Sequence, residues 1–156
     1  MHPRFAAVAE ALNERFERLV AQEPRSPNQP WPREKVRGVY LFSENGRHLY
    51  VGRTNDVKAR YGRHCLPGAH HGMAAFAFRL AREATGQLKA TYRAGEGSRA
   101  ALAVDPVFKP AFVEAKARVR AMEFRYVEEA DPVRQAVLEI YCAVALETPY
   151  NDFDNH

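Results

Sequence analysis

The chain has 156 residues, enough for one ordinary domain with its own core. Hydrophobic residues make up 46% and charged residues 27%, which sets aside a disordered or fibrous chain, and no apolar run is long enough to span a bilayer. A net charge of +4 suits a polyanionic partner without requiring one.

Residues from about Pro3 to Ala21 are predicted to form an amphipathic helix. Phe5, Val8, Leu12, Phe16 and Leu19 recur at three- and four-residue steps, with Glu10, Glu14, Arg15 and Glu17 elsewhere on the surface. The start, Met1-His2-Pro3-Arg4, leads into this alternation rather than into a secretory apolar segment. Four prolines between Glu23 and Pro32 break regular structure and predict an extended connector, pinned to the core by Trp31.

A β-hairpin comes next. Val36 to Phe42 and His48 to Val51 are rich in β-branched and aromatic residues and flank Asn45-Gly46. Loop length decides the pairing. A two-residue Asn45-Gly46 loop pairs Leu41 with Tyr50 and sends Tyr40 and Tyr50 to opposite faces. A three-residue loop from Glu44 to Gly46 pairs Tyr40 with Tyr50 directly, which a shared site would need. Both registers stand open.

Thr54 or Asn55 is suited to cap a helix running to about His64, with Asp56 in its first turn and Leu66-Pro67-Gly68 as its stop. A further helix is predicted over Met73 to Ala84, ending at Gly86. Tyr92 is placed in a short strand, and Gly95-Glu96-Gly97-Ser98-Arg99 in a loop without the flanks of a P-loop. Phe108 to Ala117 is taken as helix and Val119 to Glu128, which alternates, as strand. Asp131-Pro132 opens a last helix running to about Leu146, with Pro149 beyond its end.

The fold class that follows is α+β: one domain over 1–156, with a small antiparallel sheet of about three strands flanked by helices. Residues 1–32 supply the helix and connector, 33–64 and 118–151 the core, and 65–117 a helical insertion of unassigned role.

Several residues carry chemistry. Arg33, Lys35, Arg37, Arg47, Arg53, Lys58, Arg60 and Arg63 crowd around the two tyrosine runs; a solvated basic face and a nucleic-acid contact surface both fit them. Arg60 and His64 lie four apart on one helix face. Glu139 interrupts the apolar stretch from Val137 to Leu146. It either faces water or points at a site where metal or cations stabilise it. Asn151, after Pro149-Tyr150, has the position of a loop or cap residue. Cys65 and Cys142 lack metal-ligand or disulfide-framework spacing and are taken as reduced thiols, as in a cytoplasmic protein. His48, His70 and His71 do not make a zinc set, because no cysteine joins them at useful spacing.

Taken in order, these residues resemble the GIY-YIG nuclease domain. Gly38-Val39-Tyr40 is similar to the first signature tripeptide and Tyr50-Val51-Gly52 to the second, each with valine for isoleucine. Arg60 falls at the family's arginine position and His64 where several restriction-type members carry histidine. Glu139 stands where the metal-binding glutamate does, Asn151 matches the closing asparagine, and Arg53 the basic residue of repair-type members. The resemblance runs over Arg37 to His64 and Arg118 to Asn151; 65–117 matches nothing in the minimal domain.

The resemblance implies a DNA endonuclease on a GIY-YIG-like core, with Mg²⁺ (or Mn²⁺) held by Glu139. Tyr40, Tyr50, Arg60, His64, Glu139 and Asn151 would form the catalytic set, and Arg53, Lys58 and Arg63 would contact nucleic acid. It favours Tyr50 on the base side, Arg60 as a phosphate clamp and His64 as relay or phosphate-positioning group. One site cuts one strand, so double-strand cleavage needs a homodimer or two encounters. A non-catalytic nucleic-acid-binding or scaffolding module on the same fold is the alternative; an RNA substrate fits less well, for want of a base-stacking platform.

Overall fold

In the computed structural model, which describes residues 1–87, 95 and 97–154, nine elements follow in chain order. They are α1 (Pro3–Ala21), β1 (Gly38–Glu44), β2 (Arg47–Thr54), α2 (Val57–Cys65), α3 (Ala75–Thr85), α4 (Arg99–Val104), α5 (Phe108–Ala121), β3 (Glu123–Glu128) and α6 (Pro132–Ala145). The class is α+β. The three strands form one antiparallel sheet in the order β2-β1-β3. No helix among the described residues is long and apolar enough to cross a membrane.

The chain divides into two compact units, one over 1–58 and 123–156 and the other over 59–122. The first holds the sheet. Its central strand β1 is buried along nearly its whole length, as a strand paired on both edges must be. Val39, Leu41, Val51 and Val127 alternate to one face and pack with Leu12 and Leu19 of α1 and Leu138 and Cys142 of α6. α1 starts where His2 caps Arg4 N and Pro3 presets the first turn. Its end is tied to β3, since Gln22 donates to Tyr126 O at 2.8 Å and Arg125 donates to Gln22 O at 2.9 Å. Trp31 pins the connector to the other face, 6.3 Å from the Phe124 ring and 6.2 Å from that of Tyr126, with Arg25 3.6 Å over its own ring.

The hairpin adopts neither register read from the sequence. Asn45 and Gly46 both take positive φ, 52° and 76°, so the loop has two residues and Glu44 pairs with Arg47. Pairing then shifts between Phe42 and Ser43: Ser43 faces His48, while Phe42 faces Tyr50 and Tyr40 faces Gly52. Leu49 is the extra residue of this bulge, and one inserted residue flips every later side chain to the other face. Tyr40 and Tyr50 therefore share a face, as diagonal neighbours.

The second unit is helical. Phe78 packs on Phe108 and Phe112 with ring centroids 4.8 and 5.6 Å away, joined by Phe76, Leu80 and Val119 in the buried set. Gly86, at φ 74°, caps α3 in the left-handed conformation. Two boundaries correct the sequence reading. Residues 119–121, taken as strand, complete α5, and β3 begins at Glu123; short alternation does not distinguish a strand from a helix end that still closes i to i−4 bonds. Ser98 and Arg99, taken as loop, open α4, with the Ser98 hydroxyl accepting from Ala101 N at 3.1 Å. Tyr92, and Glu96 of the glycine loop, lie outside the described residues.

Candidate functional site

The second tripeptide of the hairpin is a point of convergence. Asn151 accepts from Val51 N at 2.9 Å and donates to Val51 O at 2.8 Å. Its side-chain amide so pairs with edge strand β2 as a further strand residue would, and satisfies both in-plane groups of Val51. Thr148 Oγ1 donates to the same Asn151 oxygen at 2.8 Å, and Tyr150 N bonds Leu49 O at 3.2 Å. The segment after α6 is thereby stitched to β2.

Two residues on, Arg53 Nε donates to Glu139 Oε2 at 3.0 Å. Glu139 reaches this position because Asp131 caps the start of α6, accepting from Arg134 N at 2.8 Å, and Leu138 and Cys142 turn inward to the core. The pair is only partly sealed: the Arg53 and Glu139 side chains are 48% and 24% exposed. Glu139 is thus paired with a cation while part of it still faces water.

Tyr40 and Tyr50 sit together on the other face, with ring centroids 6.4 Å apart. Tyr40 stacks on Phe124 at 5.8 Å and is 1% exposed, whereas Tyr50 is half-buried. A Cβ built on Gly52 would lie 2.2 Å from Tyr40 Oη. The tyrosine of the first tripeptide thus requires the glycine of the second. By strand alternation the two rings belong to one face of the sheet and Arg53, with the carboxylate it holds, to the face covered by α1 and α6.

Lys58 is exposed near the first turn of α2, beside a shallow cleft lined by Trp31, Val36 and Tyr126. Arg60, Arg63 and His64 belong to the second unit. Arg60 Nη1 donates to Met73 O at 3.5 Å, and Arg63 is exposed. His64 is fully buried, and burial, assisted by the charge of Arg60, holds its pKa down to about 3. It is a neutral imidazole at neutral pH, fit to donate or accept one hydrogen bond but a weak proton acceptor. Cys65 and Cys142 are buried free thiols; burial pushes Cys142 up to about 12, with Glu139 adding to the rise.

A divalent ion fits this donor set in one way. Among the described residues no three His, Cys, Asp or Glu side chains gather as a metal cage. Glu139 offers a single hard carboxylate, partly open to water, which suits Mg²⁺, an ion that keeps most of its shell for water and phosphate oxygens.

A charged cluster that sequence reasoning missed lies before α6. Glu129 is 1% exposed, yet its Oε2 lies 2.7 Å from Arg15 Nε and its Oε1 accepts from Arg134 Nε at 3.1 Å and Asp131 N at 3.0 Å. Gln135 donates to its carbonyl at 2.6 Å. The available signal was an acidic residue just ahead of the Asp131-Pro132 helix start, with an arginine one turn inside.

In comparisons with family models, characterised proteins and solved structures, the chain matches none.

Proposed function

We propose that the chain is a Mg²⁺-dependent endonuclease of the GIY-YIG type, hydrolysing DNA phosphodiesters at one site. The observation that carries this reading is the convergence on Tyr50-Val51-Gly52-Arg53: Glu139 and Asn151, 86 and 100 positions from their partners in the chain, both bond within this run. The ordered tripeptides, Arg60 and His64 supply the rest of the argument.

Phosphodiester hydrolysis needs charge neutralised and a water activated. Glu139 would hold the ion, which when bound supplies positive charge to the phosphate and acidifies water. Arg53, already bonded to that carboxylate, offers its remaining N–H groups to a phosphate oxygen. Asn151 holds the strand that carries Arg53 in place. Tyr50, the more open of the two phenols, lies on the opposite face of the sheet from that carboxylate and is left without a step at the ion; the resemblance gives Arg60 the role of clamping a non-bridging oxygen. His64, neutral at working pH, positions by hydrogen bonding rather than by carrying a proton. The reading places the protein in the cytoplasm, with both thiols reduced.

Purified protein with Mg²⁺ should nick supercoiled plasmid, and EDTA should stop it. Glu139→Ala should lower the rate by about 10²–10³-fold or more. The part-exposed ion pair it breaks contributes at most about 1 kcal/mol, so the variant should stay folded by circular dichroism. Full cutting by folded Glu139→Ala would overturn the metal role. The burial of Tyr40 and His64 favours a second reading, a nucleic-acid-binding module without turnover. A salt-dependent gel shift with no cleavage under any divalent ion would select it.

A further inference from the structure

Two cations one turn apart on α5 spend their charge on backbone carbonyls, Arg120 at the end of α2 and Lys116 in the segment just past it. Arg120 Nη1 donates to Cys65 O at 2.8 Å. Lys116 Nζ donates to Pro67 O at 2.7 Å and Ala69 O at 2.9 Å. A helix ends with carbonyls that lack intrahelical partners and with the negative end of its dipole, so this is where a cation is worth most.

Lys116 is 6% exposed, and its Nζ lies 4.7 Å from the Phe112 ring centre. Burial, with the charge of Arg120, lowers its pKa. An ammonium is rarely buried this far, and an apolar side chain would fill the same space at less desolvation cost. Packing alone therefore does not explain a lysine here; the carbonyls do. The segment they belong to is otherwise held by short local bonds, Ala69 N to Leu66 O at 2.9 Å and Met73 N to His70 O at 2.9 Å. Arg60 rests its guanidinium on Met73 O of the same segment.

We propose that Lys116 and Arg120 are positioning residues: by clamping the carbonyls of residues 65–69 they fix the last turn of α2, and with it the side chains of Arg60 and His64. The helical insertion then has a task, to supply the support for that turn. The catalytic meaning of the clamp rests on the nuclease reading; the clamp itself does not.

Hydrogen exchange on the full chain separates the two. In Lys116→Met and Arg120→Met, amides of residues 66–74 should exchange about tenfold faster or more, while those of β1 and β2 keep their wild-type protection. Lys116→Arg, which still donates to two carbonyls, should restore protection. In plasmid cleavage, kcat should fall in the methionine variants with KM nearly unchanged, and Lys116→Arg should recover it. Unchanged exchange at 66–74, or a uniform rise along the chain, would overturn the clamp. Faster local exchange with unaltered kcat would overturn the positioning role. If Lys116→Met does not fold, Arg120→Met carries the test. If the wild-type chain cuts no DNA, the nuclease reading fails and exchange alone still decides the clamp.

Discussion

Glu129 and Glu139 flank the first half of α6 and have met opposite fates. Glu129 is sealed from water with two arginines and a backbone N–H on its oxygens. Glu139, with Arg53 against it, keeps about a quarter of its side chain open. A carboxylate in the first setting is committed to the fold, because two guanidiniums lie against it and it is sealed from any ligand. A carboxylate in the second is held at one spot and stays partly accessible, as the proposed metal role requires. On the proposed reading, one acid places α6 and the other holds the ion.

This contrast can be broken by experiment. Glu139→Ala should remove cutting and leave stability almost intact. Glu129→Ala should do the reverse, costing about 3 kcal/mol in urea unfolding. The exposed parts of Arg15 and Arg134 can rehydrate, which keeps the cost from rising further. A Glu129→Ala chain as stable as wild type would erase the distinction. Asn151→Ala should cost about 1–3 kcal/mol, because it strands the N–H and C=O of Val51. Its mark should be faster hydrogen exchange at Val51; unchanged protection there would show that the amide clip is dispensable.

His64 sharpens the same contrast between sealed and open groups through pH. Its folded pKa of about 3 lies well below the ordinary histidine value of 6.5. In that window the unfolded chain binds the extra proton, so stability is full above about pH 6.5 and falls as the pH drops, by at most about 1.4 kcal/mol per unit. His48, also lowered by burial, adds in the same direction but stays in both proteins compared. Urea midpoints between about pH 7 and 5 should therefore fall less steeply in His64→Gln than in wild type. Parallel slopes would mean that the imidazole is protonated in the fold.

Much of the fold was legible because local signals agree with it. Pro3 after His2, Asp131-Pro132 and Gly86 mark helix ends by backbone chemistry that acts within a turn. Asn45-Gly46 marked the hairpin loop for the same reason. The bulge at Leu49 was not legible, since it answers to packing on both faces of the sheet rather than to any residue type nearby. Of the candidate site, Glu139 stood out as a charge in an apolar helix, while Asn151 looked like a loop residue and proves to be a strand clip.

By itself, then, the order of amino acids determined which segments coil and which extend, where they stop, and which side chains have chemistry to offer. Tertiary structure alone decided that Tyr40 and Tyr50 share a face, that Arg53 meets Glu139, and that Glu129 and Lys116 are buried. The physical reason is range. Dihedral preference, capping and hydrophobic period act over a few residues, whereas register, burial and ion pairing are settled only when distant segments compete for the same partners and the same exclusion of water.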